Sequence, residues 1–446
     1  MTTPPHTHQF SKGPANELHK AAKHGFTKRI DVMLASGIDI NDGNQNGLTP
    51  LMISASYGHL RVATHLLDRG ADVSRVDDEG LTALHISAGT GNLAMTEMLM
   101  TAGANLEARS GGKTPLHMAV FGGHLDVMRA MIEAGVNVDS RLPSGATALF
   151  SAASHGLTDA VEVLLGANAD PMVAKNSTMT GGGAFVALDA AAECGHAEVV
   201  LRMIGKLGIE GCGGGNRGVS ALYQACKYKH VDVMAILVGA GVVDNGEALI
   251  GAAALGVEAS VKFLLQQHDD NKEIATRKKL AYVNSTCNFS GATPLVYGIG
   301  FGGFYSARIV RMLVDAGADT TSSLRLSNTP TGGAVFDGTP LAMVAKLLYV
   351  RVAEGGEAPE KQQRIRCELE AVRLVLLRAE AARALSWLWP SNSINSASHA
   401  AGASAVRAKV NSTYSEPLAG LTLVLRRRAV RHRVLLAALS RYSRKP

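Results

Sequence analysis

Gly112-Lys113-Thr114-Pro115-Leu116-His117-Met118-Ala119 is the stretch from which the fold of this chain can be predicted. Thr114 can cap the N-terminus of a helix, and Pro115 suits the first helical position, where its missing N–H is no loss. Leu116 and Ala119 are three residues apart and therefore share one helical face. The stretch predicts the first turns of a helix that packs on one side against a neighbour.

The same phrase recurs along the chain, and its leucine marks ten positions: Leu18, Leu51, Leu84, Leu116, Leu149, Leu188, Leu222, Leu249, Leu295 and Leu341. The first five leucines follow one another at intervals of 33, 33, 32 and 33 along the chain, and the later ones at 39, 34, 27, 46 and 46. A nearly constant interval of this size indicates a stack of repeated units rather than a single globule. We therefore expect about ten units, the later ones with insertions or a deletion.

Each unit also encodes a second helix. In residues 123–135 the apolar side chains recur at helical spacing, namely Leu125, Val127, Met128, Met131 and Ile132. Gly135 can adopt a positive φ and end this helix, and polar residues then lead into the next Gly-x-Thr. The sequence thus predicts an all-α solenoid of helix-turn-helix units joined by short hairpin-like fingers.

These motifs resemble the repeats of the ankyrin-repeat family, and the resemblance covers roughly residues 17–380. The family's Thr-Pro-Leu-His-x-Ala is complete at Thr114–Ala119. Its Gly-His opening of the second helix occurs at Gly58, Gly123 and Gly195, and its closing Gly-Ala-Asp at Gly70 and Gly317. The resemblance implies a curved stack whose fingers and inner helices form a concave surface that binds proteins, without a catalytic centre of its own.

The sequence predicts four segments along the chain. Residues 1–16 are polar and are expected to form a disordered N-terminus that is not a signal peptide. Residues 17–380 form the solenoid, residues 390–417 a linker rich in serine and asparagine, and residues 418–446 a basic C-terminal helix or tail. Since the chain contains no run of 18 uncharged apolar residues, we expect no transmembrane span.

Within the predicted solenoid, four connections are longer than the regular finger: Asp170–Gly183, Gly211–Gly218, Gln266–Ser290 and Thr320–Gly338. The second helix of the last unit, at about residues 361–388, is also unusually long.

Positive charge is concentrated at the C-terminus. The whole chain has a net charge of +6, but residues 1–425 contain 36 Lys and Arg against 38 Asp and Glu. Residues 426–446 contain eight bases and no acid, among them Arg426, Arg427, Arg428, Arg431 and Arg433. Such a tail is compatible with a nuclear-import sequence, a helix for an anionic membrane or a partner, a nucleic-acid contact, or a cap on the stack.

The sequence contains no pattern typical of catalysis or of cofactor and metal binding. The five cysteines form no C-x-x-C pair, so neither a disulfide framework nor a thiolate zinc site is expected, and a cytoplasmic or nuclear location fits. The histidines at 85 and 117 are expected to bond the Thr or finger backbone of a neighbouring unit. Glycine runs at 181–183 and 213–215 lack the residues of a phosphate-binding loop. We expect no enzyme, no cofactor and no metal.

The remaining function is partner binding by a monomeric protein scaffold. In the family that this chain resembles, the finger residues and the ends of the inner helices face the concave surface. The positions that this rule selects are Gln45, Leu48, Tyr57, Glu79, Leu81, Lys113, Phe121, His155, Arg217, Tyr228 and Phe301. Exposed aromatic residues with polar neighbours favour a protein interface, although some of these rings could instead pack against the adjacent unit. The alternative is that the basic tail binds nucleic acid or an anionic membrane, with the repeats as its platform.

Overall fold

A computed structural model of the protein describes residues 14–175, 185–211, 216–267, 274–287, 291–301, 306–321, 324–326, 336–353 and 359–388. The chain divides into two compact units, Met1–Leu377 and Arg378–Pro446, and the described part of the second is the end of the last helix. The predicted linker, residues 390–417, and the predicted basic tail, residues 418–446, lie outside the described residues.

The helices of the described residues are α1 (Pro14–His24), α2 (Thr27–Ala35), α3 (Pro50–Ser56), α4 (Leu60–Asp68), α5 (Ala83–Thr90), α6 (Leu93–Thr101), α7 (Pro115–Gly122), α8 (Leu125–Glu133), α9 (Ala148–Ser154), α10 (Thr158–Gly166), α11 (Ala187–Cys194), α12 (Ala197–Gly211), α13 (Asn216–Tyr228), α14 (Val231–Gly239), α15 (Glu247–Ala254), α16 (Glu258–Gln266), α17 (Ile274–Val283), α18 (Pro294–Val296), α19 (Ala307–Asp315), α20 (Pro340–Ala353) and α21 (Pro359–Leu388). A π-helical segment, Tyr297–Phe301, continues α18. Strands β1 (Leu324–Leu326) and β2 (Phe336–Gly338) pair antiparallel, with Leu324 opposite Gly338.

In chain order these helices fall into ten units within the described residues, which we number 1 to 10. Units 1 to 8 pair α1 with α2 through α15 with α16, and unit 9 pairs α18 and its π-helical continuation with α19. Unit 10 consists of α20 and α21, which follow one another in the chain. The ten leucines that mark the repeat are all buried, and even the most exposed of them, Leu341, is only 7% exposed to solvent. The predicted all-α repeat solenoid is therefore confirmed.

The repeated threonine caps the inner helix of the regular units. Thr49, Thr82 and Thr147 each accept a hydrogen bond from the backbone N–H three residues on, at 3.2–3.3 Å. Thr114 is the N-cap of α7, and its Oγ1 lies 2.8 Å from Nδ1 of His117. Each cap supplies a partner for N–H or side-chain groups that a buried helix start would otherwise leave unpaired.

The turn between the two helices of a unit uses a residue with positive φ. Glycine occupies this position in seven units, with φ between +70° and +78°: Gly25, Gly58, Gly91, Gly123, Gly156, Gly195 and Gly256. In unit 7 the residue is Lys229, with φ +70°. A residue with a Cβ pays roughly 1–2 kcal/mol for this left-handed conformation, so Lys229 is strained relative to the seven glycines.

The fingers are short and hydrogen-bonded, as predicted. In unit 4, Ser110 and Lys113 exchange two backbone hydrogen bonds, at 3.0 and 2.9 Å. Adjacent fingers are also joined, because the Asp78 N–H donates to Asn46 O at 3.2 Å and the Ser110 hydroxyl donates to Glu79 O at 2.8 Å. These bonds connect successive fingers in a row along units 2 to 4.

The structure differs from the sequence prediction mainly in the longer connections. The finger predicted at Gly211–Gly218 is shorter, because α13 already begins at Asn216. The connection predicted at Gln266–Ser290 contains α17, and the finger predicted at Thr320–Gly338 contains β1 and β2. At the N-terminal end, α1 begins at Pro14, before the predicted start at 17, whereas α21 ends at Leu388, where the second helix of the last unit was predicted to end.

Helix α17 forms because its last turn finds buried partners. Val283 is fully buried and Tyr282 is 7% exposed, and the Tyr282 hydroxyl donates a hydrogen bond of 2.7 Å to Oδ2 of Asp244. Burial and the adjacent Asp244 carboxylate raise the pKa of Tyr282 well above its ordinary value, so it remains a hydrogen-bond donor. A hydrogen bond between side chains so far apart in the sequence cannot be inferred from local periodicity.

Candidate functional site

Three of the predicted partner-binding residues lie side by side: Lys113, Phe121 and His155, which we call the central cluster. Lys113 is on the finger of unit 4, Phe121 is near the end of α7, and His155 follows α9 in unit 5. Lys113 Nζ lies 5.6 Å from the Phe121 ring centroid, and the Phe121 and His155 ring centroids are 5.8 Å apart, edge to face. Phe121 is 41% exposed, so the central cluster is an open surface across two units.

Tyr57 forms a second exposed aromatic position. It follows α3 and is 45% exposed to solvent. Lys23 Nζ lies 5.2 Å from the centroid of its ring. Lys23 was not among the predicted residues. It lies five residues after Leu18, just as Phe121 lies five residues after Leu116, and this register was the signal that could have identified it.

Tyr228 is exposed to a similar extent, 42%, but its hydroxyl is engaged. It donates a hydrogen bond of 2.9 Å to Oε1 of Glu193 on the preceding unit, and Lys227 Nζ lies 4.9 Å from its ring. Tyr228 is therefore partly engaged with the adjacent unit, which is the alternative that the sequence left open for such rings.

The other predicted residues are distributed more widely. Gln45 and Glu79 are exposed finger residues, whereas Leu48 and Leu81 are half-buried, and Leu48 packs against the core. Arg217 lies in the first turn of α13 and Phe301 at the end of the π-helical segment; the side chains of both are outside the described residues, as are the tail arginines Arg426, Arg427, Arg428, Arg431 and Arg433.

Three basic residues of the same surface were missed by the sequence analysis: Arg109, Arg141 and Lys175. All three are exposed. The Arg109 guanidinium donates to Arg141 O at 2.7 Å, and Lys175 Nζ lies 5.5 Å from the ring centroid of Phe150 on α9. The signal that could have found them is the order of the charges, because Asp77, Asp78 and Glu79 cluster in the finger of unit 3, whereas each of the next three fingers contributes at least one Lys or Arg.

Of the buried histidines in the repeat motif, His85 joins neighbouring units, as the sequence predicted. Its Nε2–H donates to Lys113 O of the next unit at 3.1 Å, and burial lowers its pKa. His117 is also fully buried, but its Nε2 has no hydrogen-bond partner. Burial, together with the positive charge of Arg109, lowers the pKa of His117 to about 4.

A second set of histidines begins the outer helices. His59, His124, His196 and His230 each donate Nε2–H to a backbone carbonyl of the preceding unit, at 2.8, 3.1, 3.1 and 3.0 Å. These bonds give the repeated histidines a structural role. Among the described residues, no group of three His, Cys, Asp or Glu side chains is placed to hold a metal ion.

The stacked helix pairs place this protein in the class of helical repeat solenoids. A family model described as ankyrin repeats, in three copies, matches residues 18–110 and 105–175. Residues 18–175 therefore belong to the ankyrin-repeat family, as their motifs predicted. A search of curated proteins gave no match.

Ankyrin repeats are in general modules for protein–protein interaction, and the family is generally non-enzymatic. In the part of the chain that the structure describes, no helix has the length and apolar character needed to cross a bilayer.

Proposed function

We propose that this protein is a non-enzymatic scaffold that binds partner proteins through its fingers and the ends of its inner helices. The observation that carries the proposal is the central cluster, in which residues from a finger and two inner helices form one exposed surface. We also propose that the protein is monomeric and is located in the cytoplasm or the nucleus. The described cysteines are free thiols, as is usual in these reducing compartments.

The composition of the central cluster is that of an interface centre. Protein interfaces are enriched in aromatic residues, and a few such side chains dominate the binding free energy. Phe121 is exposed between a lysine and a histidine, so that an incoming side chain could cover its ring while polar groups remain at the edge. Because Phe121 and His155 are anchored on α7 and α9, little order would have to be gained on binding.

The proposal is tested by the combined variant Tyr57→Ala, Lys113→Ala, Phe121→Ala. We expect the variant to capture its partners from a native lysate at least about tenfold less efficiently, since hot-spot truncations cost about 2 kcal/mol or more. The free energy of unfolding should change little, because exposed side chains usually contribute less than ~0.5 kcal/mol each.

The matched control replaces exposed apolar residues outside the central cluster, Leu201→Ala on α12 together with Val243→Ala, which are 49% and 76% exposed in the native chain. This control should retain the captured proteins. If the combined variant captures the same proteins in the same amounts as the wild type, the proposed surface is wrong.

A further inference from the structure

We propose that the surface around Phe121 binds an acidic segment of a partner protein, in which carboxylates flank an apolar side chain. This inference rests on the proposed function and adds the chemistry of the partner. It depends on four exposed residues, Arg109, Lys113, Arg141 and Lys175, which we call the basic finger residues.

The basic finger residues lie on three successive fingers and approach the inner helices. Lys113 Nζ lies 5.6 Å from the ring centroid of Phe121 on α7, and Lys175 Nζ lies 5.5 Å from that of Phe150 on α9. Two of the four charges are thus held beside the inner helices, Lys113 against Phe121 itself and Lys175 against the inner helix of the next unit.

The same fingers contain carboxylates, but these are already engaged. Glu107 accepts hydrogen bonds from the Asn137 N–H and the Ser140 hydroxyl, both at 2.7 Å. Asp139 in turn accepts from the Asp170 N–H at 3.0 Å. Glu107 and Asp139 therefore join neighbouring fingers, whereas Asp170 accepts from the Met172 N–H of its own finger at 2.8 Å. Among the described residues, none of these three carboxylates forms an ion pair with a basic finger residue.

Arg202, on the outer helix α12, shows the opposite arrangement. It is bonded to Glu162 at 2.6 Å and to Glu198 at 2.8 Å, so its charge has fixed counter-ions. Within the described residues, none of the four basic finger residues has a carboxylate partner of this kind. Unpaired cations on one surface raise the local potential and accelerate the approach of an anionic partner.

The preceding finger, that of unit 3, carries a cluster of acidic residues instead. Asp78 and Glu79, in unit 3, are exposed, and Glu79 O accepts the Ser110 hydroxyl of unit 4 at 2.8 Å, so the acidic and basic fingers are adjacent. A like-charge contact is unfavourable, and the pattern therefore fixes the direction in which a charged segment binds. Its carboxylates lie over units 4 to 6, and its neutral or basic end lies over unit 3.

The mixture of charges also favours a polypeptide over a nucleic acid. A uniformly charged phosphate backbone would meet Asp78 and Glu79 as soon as it extended beyond the basic fingers. Phe121 supplies an apolar contact between the charges, and an acidic peptide with one aliphatic or aromatic residue matches both features.

The test is a selection of binders from a library of random displayed peptides on the full-length chain. We expect the selected peptides to be enriched in Asp and Glu around one apolar residue. A labelled synthetic copy should lose at least about tenfold in affinity to the Lys113→Glu, Arg141→Glu double variant at about 0.05 M salt, and the loss should shrink at about 0.3 M salt.

The matched control is Arg129→Glu with Lys206→Glu, which makes the same change in net charge on the outer helices α8 and α12. It should leave the affinity unchanged, and circular dichroism should show both double variants folded. The inference is overturned if no peptide depends on Lys113 and Arg141, if the selected peptides are basic or neutral, or if single-stranded DNA competes as well as the peptide. Neutral peptides that still require Phe121 would overturn the acidic partner alone and leave the proposed function standing.

Discussion

Units 4 and 8 solve the same structural problem with different residues. In unit 4, α7 begins with Thr114 and Pro115, and the local side chain of His117 completes the cap. In unit 8, α15 begins after Gly246, and no threonine or proline is present. Instead Asp244, which is 9% exposed, accepts the backbone N–H groups of residues 246, 248 and 249 at 3.0–3.1 Å.

The difference shows which features of a unit are obligatory. Leu116 and Leu249 are both fully buried, so the apolar contact between units is retained in each case. The orphan N–H groups of the helix start also find partners in both units, but the partner is exchangeable. Unit 4 needs only residues within one turn, whereas unit 8 also needs Tyr282 from the inserted helix α17.

The largest effect is expected in unit 4, from the acid titration of His117. Its pKa is about 4 in the folded chain against an ordinary 6.5, so the unfolded chain binds a proton at a pH where the folded chain does not. A shift of this size corresponds to about 3 kcal/mol of stability, which is present above about pH 6.5 and is lost as the pH falls toward 4.

Urea unfolding at a series of pH values would measure this loss. The variant His117→Met introduces the residue that unit 2 has at the same position, Met52, and should remove that part of the pH dependence. If the variant loses stability between pH 6.5 and 4 as steeply as the wild type, the burial of a neutral His117 is not its cause.

The second effect concerns unit 8. Tyr282→Phe removes a hydrogen bond to the buried Asp244 carboxylate, and bonds to charged groups contribute roughly 1.5–3 kcal/mol. We expect this loss to appear as faster hydrogen exchange in α15 and α17. The control is Tyr223→Phe, whose hydroxyl has no hydrogen bond among the described residues and which should cost less than ~0.5 kcal/mol. Equal effects of the two substitutions would contradict the assigned role of Tyr282.

The smallest effect is expected at the helix turn of unit 7. Lys229→Gly relieves the left-handed backbone at φ +70° and should raise the free energy of unfolding by up to about 1 kcal/mol, after the added freedom of the unfolded chain is counted. The reverse change in the next unit, Gly256→Ala, should lower it by about 1 kcal/mol or more. Thermal unfolding would detect both, and destabilisation by Lys229→Gly would show that its side chain outweighs the strain.

Much of the fold followed from the sequence because its signals are local. A threonine cap and a buried leucine act within one turn of helix, and their recurrence gave the number of units. Even in unit 10, where the motif is worn, the apolar pattern predicted a long second helix at about 361–388, and α21 occupies Pro359–Leu388. The insertions were not predictable in the same way, because α17 and the β1–β2 pair depend on contacts with distant residues.

The positions of the candidate-site residues within the repeat could be predicted from the sequence, but the surface that they form could not. The repeat placed Lys113 on a finger and Phe121 and His155 at the ends of inner helices, and the structure shows that Lys113 and His155 both lie against Phe121. The same register could not show that Tyr228 bonds Glu193, or that Arg109, Arg141 and Lys175 are left without ion partners among the described residues. Whether a side chain is exposed, and whether a charge has an ion partner, depends on how neighbouring units pack against each other.

The sequence alone determined that this chain is a stack of two-helix units, because each short amphipathic unit can bury its leucine only against another unit. The tertiary structure decided which charges remain unpaired, which ring is open to a partner, and how an irregular unit completes its helix start. Those outcomes depend on distances between side chains that belong to different units, as in the bond from Tyr282 to Asp244, and a helical period carries no information about such distances.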